Sequence, residues 1–237
     1  MDIITETKKQ VGYAAVDEFV KSGMKIGLGT GSTAVWALRR VGELLAAGKL
    51  NGIRAVATSL QTEMECQAAG IPLRSLCDPE ISGSLDLAID GADEVDENLC
   101  LTKGGGGALL IEKIVAYSAK KFIVVVDSSK LVKNLGLSFP VPVEVLREAR
   151  LTAAEAFTGL GARAELRMAV KKMGAVITDN GNILLDLRFE KPFDPREMES
   201  RLSGIPGVLG NGIFSRNVTE VLVTHSDGRI ERLAKKR

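Results

Sequence analysis

The chain has 237 residues, of which 45% are hydrophobic and 26% charged, with 31 basic side chains, 30 acidic ones and a single histidine. This is an ordinary globular composition, long enough for one large domain or two small ones with a substantial core. A net charge of +1 offers no basic field for nucleic acid or an anionic membrane surface, so neither partner is expected.

The opening segment MDIITETKKQ has no apolar run behind its lysines and does not read as a secretory leader. No stretch nears the roughly 18 consecutive apolar residues of a membrane span. Cys66, Cys77 and Cys100 form no CxxC or zinc spacing, which suits reduced thiols in a cytoplasmic protein.

Taken in order, residues 24–28 read as a strand, 29–33 as a turn, and 34–47 as a helix with Val35, Leu38, Val41 and Leu45 on one side. A strand at 54–59, a helix at 62–69, an extended piece at 71–76 and a strand at 85–90 follow. A helix at 109–119 then leads to the apolar strand FIVVVD at 122–127. Such runs separated by helices predict a doubly wound, mostly parallel sheet.

The pattern changes around Pro140 and Pro142. Residues 143–146 read as extended, 152–160 as helical, 175–178 and 183–187 as strands flanking the turn DNGN, 197–202 as helical and 207–214 as extended. This order predicts a small α+β domain at 142–213, inserted into a larger domain made of 1–141 and 214–237. Strands at 220–224 and 229–233 return to the first sheet.

Three polar segments follow predicted strands, at the carboxyl ends where open parallel sheets bind ligands. The first is Gly27-Leu28-Gly29-Thr30-Gly31-Ser32-Thr33. Its glycines bare backbone N–H groups and its hydroxyls sit at a helix start, a setting suited to phosphate. It lacks the ending of a nucleotide P-loop and the third glycine of a dinucleotide fingerprint. The plain alternative is a turn capped by Ser or Thr.

The second is Asp90-Gly91-Ala92-Asp93-Glu94-Val95-Asp96. If Asp90 and Asp93 are close, they can share a proton, bind sugar hydroxyls or hold a hard cation such as magnesium. A turn with solvated acids is the alternative, and it suits Glu94, Asp96 and Glu97 better than Asp90.

The third runs from Lys103 through Gly104, Gly105, Gly106 and Gly107 to Glu112 and Lys113. Successive glycines are costly in conformational entropy, and amides facing an anion or oxyanion would explain that cost. On a helix, Glu112 has only Ala108, Leu109, Val115 and Ala116 as neighbours three and four positions away. It is either a base in a partly dry site, with its pKa raised toward neutrality, or an edge residue reaching water. Lys130, after the FIVVVD strand, either adds charge for a phosphate or is a solvated loop lysine. The lone His225 reads as structural, and Trp36 and Tyr117 as core.

Together these segments resemble the type A ribose-5-phosphate isomerase family. The matching pieces are GLGTGSTA at 27–34, DGADEVD at 90–96, KGGGGALLIEKI at 103–114, FIVVVDSSK at 122–130, PVPVEVL at 140–146, VITDNGNILLD at 176–186 and IPGVLGNGIF at 205–214. The resemblance implies interconversion of D-ribose 5-phosphate and D-ribulose 5-phosphate through an enediolate, with no metal or organic cofactor.

By position, Glu112 matches the base that moves a proton between C1 and C2. Asp90 and Asp93 match acids that bind the sugar and assist ring opening, and Lys103 matches the residue that stabilises the enediolate oxygen. The implied substrate contacts are Thr30, Gly31, Ser32, Thr33, Asp90, Gly91, Ala92, Asp93, Lys103, Gly104, Gly105, Gly106 and Lys130. The family fold is a doubly wound α/β domain carrying a ferredoxin-like α+β domain, assembled as a homodimer or homotetramer.

The segment ATSLQT at 57–62 departs from the serine-rich stretch of the family. An amino-sugar-phosphate deaminase would want a histidine near its acids, and a CoA transferase a glutamate nucleophile in a different surround. A sugar-phosphate sensor would want a DNA-binding domain, for which the residues before Met24 are too few.

Overall fold

The computed structural model describes residues 3–234. In chain order its elements are α1 (Ile3–Phe19), β1 (Lys25–Leu28), α2 (Ala34–Ala46), β2 (Arg54–Ala57), α3 (Leu60–Ala68), β3 (Leu87–Asp90), β4 (Glu94–Val95), β5 (Leu101–Thr102), α4 (Leu109–Tyr117) and β6 (Phe122–Asp127). After these come β7 (Val141–Val145), α5 (Arg150–Gly159), β8 (Ala162–Leu166), β9 (Ile183–Phe189), α6 (Pro195–Ser203), β10 (Val208–Asn211), β11 (Ile213–Phe214), β12 (Val218–Thr224) and β13 (Ile230–Ala234). The chain divides into two compact units.

The first unit comprises the chain up to Gly91, Ile114–Lys130 and the chain from Asn217. Its six-stranded sheet has the order β13-β12-β6-β3-β1-β2. All neighbours are parallel except the pair β12 and β13. Because β1 lies between β2 and β3, the winding reverses between β1 and β3, and such a switch point leaves a crevice at the carboxyl ends of the strands. Phe122 to Val126 in β6 are all buried, which explains the unbroken apolar run. Ile26, Leu28, Leu87, Ile89, Ile123 and Val125 form the strand side of the core.

Helix α1 was not foreseen in the sequence. Its Val11, Ala15 and Val16 are completely buried in the same core, and the four-residue step from Val11 to Ala15 is a helical spacing. That spacing was the available signal. The polar run TETKKQ at 5–10 masks it.

The second unit comprises Ala92–Lys113 and Leu131–Arg216. Its four-stranded sheet has the order β10-β7-β9-β8 and is antiparallel throughout. The connection β7-α5-β8-β9-α6-β10 is the split βαβ, ferredoxin-like arrangement. The segment expected as a strand at 175–178 makes only single bridges, Met168 with Ala175 and Ile177 with Ile183. The DNGN turn is present, closed by the Thr178 N–H on the Asn182 carbonyl at 2.9 Å. A three-stranded sheet, β11-β5-β4, completes the unit.

Glu94 and Asp96 are not the solvated acids expected of a turn. Both are buried. The Glu94 carboxylate accepts from the Thr102 hydroxyl at 2.8 Å and from the Gly136 and Phe139 N–H groups at 2.8 and 2.9 Å. The Asp96 carboxylate accepts from the Asn98 and Cys100 N–H groups at 2.9 and 2.7 Å. These donors offset the cost of burying the charge. Those to Glu94 from Gly136 and Phe139 come from more than 40 residues away, so no local pattern signals them.

Helices α1 and α2 approach closely at Gly12, where a Cβ would stand 2.8 Å from both the Ala37 nitrogen and the Trp36 Cβ. The variant Gly12→Ala is expected to cost about 1–3 kcal/mol. It should lower the thermal midpoint by several degrees in a circular dichroism melt, despite alanine's better helix propensity.

Candidate active site

In the first unit, β6, β3 and β1 are neighbours, so the segments after them leave from one edge of the sheet. Gly29–Thr33 follows β1, Asp90 ends β3, and Ser128–Lys130 forms a 3₁₀ turn after β6. Thr30, Gly31, Ser32, Thr33, Asp90, Gly91 and Lys130 therefore share this edge.

The Asp90 carboxylate is buried. Its Oδ1 accepts from the Thr30 N–H at 3.1 Å and from the Gly91 N–H at 2.7 Å. Gly29 is required here, since a Cβ would lie 2.0 Å from that same oxygen. Gly31 has φ +111°, a conformation glycine supplies without strain. Thr33 begins α2 but makes no side-chain cap, so the capped-turn alternative is not what forms.

Two features of this loop escaped the sequence reading. The Thr30 hydroxyl lies 2.8 Å from the Thr58 hydroxyl, 2.7 Å from that of Ser59 and 3.0 Å from that of Thr62. Thr58 also donates to the Leu28 carbonyl and Thr62 to the Gly29 carbonyl. The atypical segment ATSLQT thus braces the first loop from beneath. In addition, Lys8 on α1 places its Nζ 3.0 Å from the Ser32 hydroxyl, bringing a cation that only the unforeseen helix could supply.

In the second unit, Glu112 lies in the first turn of α4. Its helical neighbours Leu109, Val115 and Ala116 are buried, and Glu112 itself is only 5% exposed. Lys103, 3% exposed, sets its Nζ 3.3 Å from Oε2 of Glu112. The edge-residue alternative for Glu112 is therefore excluded. Asp93 accepts from the Gly105 N–H at 2.8 Å. Asp90 and Asp93 each have their own backbone donors and belong to different units.

The glycine loop is compact. Gly104 and Gly107 have φ +101° and +85°, and the Gly107 N–H donates to the Gly104 carbonyl at 2.9 Å. Gly105 and Gly106 are exposed. A dry carboxylate beside a dry ammonium, next to an exposed glycine turn, can take a proton from carbon and stabilise the oxyanion that results.

A family model described as ribose 5-phosphate isomerase A (phosphoriboisomerase A) matches residues 54–228. The chain belongs to this family. It is 49% identical over 236 residues to a ribose-5-phosphate isomerase A of Treponema denticola, covering 97% of this chain and 99% of that one. It is also 49% identical over 230 residues to one of a Synechococcus species, covering 97% and 95%. Among solved structures, a D-ribose-5-phosphate isomerase in complex with phospho-erythronic acid superposes with a TM-score of 0.93 at 43% identity, over 99% of this chain and 100% of the other. The ribose 5-phosphate isomerase A of Methanocaldococcus jannaschii gives 0.89 at 43%, over 97% and 99%.

Family membership leaves one buried cluster of the second unit to physical reasoning. Lys113, next to Glu112, donates from Nζ to Glu199 at 2.8 Å, to the Asn211 side chain at 3.2 Å and to the Ile213 carbonyl at 2.6 Å. Burial pulls its pKa below the ordinary lysine value, against the attraction of Glu199. Glu199 also accepts from the Ser215 N–H and hydroxyl. In the variant Glu199→Ala, the ammonium and the serine lose this acceptor inside the fold. The expected loss is about 3–5 kcal/mol, read from urea unfolding, with a smaller loss for Glu199→Gln.

Proposed function

We propose that the protein interconverts D-ribose 5-phosphate and D-ribulose 5-phosphate by moving a proton between C1 and C2 through an enediolate. The observation that carries the reading is the buried pair of Glu112 and Lys103, in a chain that belongs to the ribose 5-phosphate isomerase A family.

Glu112 acts as the base. Its carboxylate removes the proton from C2 of the open-chain aldose and returns it to C1. Low hydration strengthens the carboxylate as a base, and the neighbouring ammonium offsets part of the cost of holding it charged. Lys103 and the amides of Gly104 and Gly106 bind the oxygen that becomes negative, while the Gly105 amide holds Asp93. Such donors lower the barrier because they are already oriented when charge appears. Asp90 and Asp93 bind sugar hydroxyls and assist ring opening and proton transfer between oxygens. Gly91 and Ala92 lie between them in the chain and contribute backbone contacts.

Thr30, Gly31, Ser32, Thr33 and Lys130 hold the phosphate end. The uncapped start of α2, the Ser32 hydroxyl and the Lys8 ammonium at 3.0 Å from it support that assignment, since helix starts and cations both favour an anion. The reaction needs no electron carrier, because the substrate is both oxidised and reduced. The expected setting is cytoplasmic and the expected assembly a homodimer or homotetramer. Among the described residues, no helix is long and apolar enough to cross a membrane.

The variant Glu112→Gln keeps the shape and removes the base. Its kcat with ribose 5-phosphate should fall by about two to four powers of ten, while phospho-erythronic acid still binds in calorimetry. Near-normal turnover would refute the assignment. Lys103→Met is expected to lower kcat more than it raises KM, as a group serving the transition state should. Lys8→Ala should do the reverse, raising KM by roughly threefold to fivefold, with the difference shrinking at high salt.

A further inference from the structure

Arg167 follows β8 in the second unit and belongs to none of the motifs named above. Its backbone N–H continues the sheet, donating to the Leu184 carbonyl at 3.0 Å. Its guanidinium makes a two-pronged pair with Asp186 on β9, Nε to Oδ2 at 2.9 Å and Nη2 to Oδ1 at 2.5 Å. The third nitrogen, Nη1, donates to two consecutive carbonyls of the glycine loop, Gly104 and Gly105, at 3.0 Å each. Both side chains of the Arg167–Asp186 pair are 17% exposed.

This geometry acts on the loop through the planarity of the peptide bond. In a trans peptide the carbonyl and the following N–H point in opposite directions, and no peptide among the described residues is cis. Drawing the carbonyls of Gly104 and Gly105 onto Arg167 therefore turns the N–H groups of Gly105 and Gly106 away from it. The first of these reaches Asp93 at 2.8 Å. The second belongs to an exposed residue. A glycine run has no side chains to set its peptide planes and samples many orientations, so an external clamp is needed to present donors in one direction. A cation bound to the carbonyl end of a peptide also polarises its N–H and makes it a stronger donor.

We propose that Arg167, held by Asp186, is a positioning residue for the isomerisation: it sets the two peptides that join Gly104, Gly105 and Gly106, so that the Gly105 amide holds Asp93 and the Gly106 amide meets the enediolate oxygen. The guanidinium is committed to Asp186 and to the loop, so it serves the reaction through the loop and makes no substrate contact. This inference rests on the reading of the protein as a ribose-5-phosphate isomerase.

The test compares wild type with Arg167→Lys and Arg167→Ala in steady-state turnover of ribose 5-phosphate. An ammonium cannot bridge a carboxylate and two carbonyls in the way a planar fork does. In both variants kcat should fall by about tenfold to a hundredfold, while KM changes by less than about threefold. Methylguanidinium should restore part of the kcat of Arg167→Ala, and methylammonium should not. A kcat within about twofold of wild type, a change confined to KM, or no recovery with methylguanidinium would overturn the proposal. Should Arg167→Ala fail to fold, Arg167→Lys and Asp186→Asn carry the same test on kcat and KM. Wild-type protein that does not turn over ribose 5-phosphate would instead overturn the functional reading, so the two failures are distinguishable.

Discussion

An ammonium and a carboxylate, each almost dry, stand 3.3 Å apart in Lys103 and Glu112. Removing such charges from water costs several kcal/mol each, and their attraction offsets this only with good geometry and further polar partners. The second unit supplies further contacts around this pair. The ring of Phe214 has the Lys103 Nζ 5.6 Å from its centroid and the Lys113 Nζ 4.8 Å from it, within range of cation–π attraction. Lys113 is held by Glu199, Asn211 and the backbone of Ile213. Residues from β10, β11 and α6 thus gather around the start of the helix that carries Glu112.

The first unit meets a different demand. In the proposed reading its edge loops bind an anion and sugar hydroxyls, and these want oriented donors and tolerate water. Parallel strands provide the orientation cheaply, because their carboxyl ends fall on one side and the following helices start there. The remaining refinement is local packing. Asp90 fills the space a Gly29 side chain would need, and the hydroxyls of Thr58, Ser59 and Thr62 tie down Thr30.

The two groups of proposed site residues differ in how they can be read. Asp90, Asp93 and the hydroxyl loop were visible because strand-end loops announce themselves by glycine and polar residues after an apolar run. Glu112 was visible as an acid among apolar helical neighbours. Its alternative role at the helix edge was removed only by its burial against Lys103. The contacts of Lys8 and Arg167 with the loops were invisible in the sequence. Each of the two is a basic residue in an unremarkable segment, and each reaches its target by a contact that spans more than twenty residues of chain.

The sequence by itself determined the alternation of strands and helices, the inserted α+β pattern, and the three loops whose order and spacing match the ribose-5-phosphate isomerase family. These depend on short-range periodicity and on residue types that turns demand. Tertiary structure alone decided which acids are buried and which are bathed in water, since Glu94 and Asp96 look like surface residues until distant or turn-specific donors close on them. It also decided which cations serve the loops, because the cost of burying a charge depends on partners that the fold brings from far along the chain.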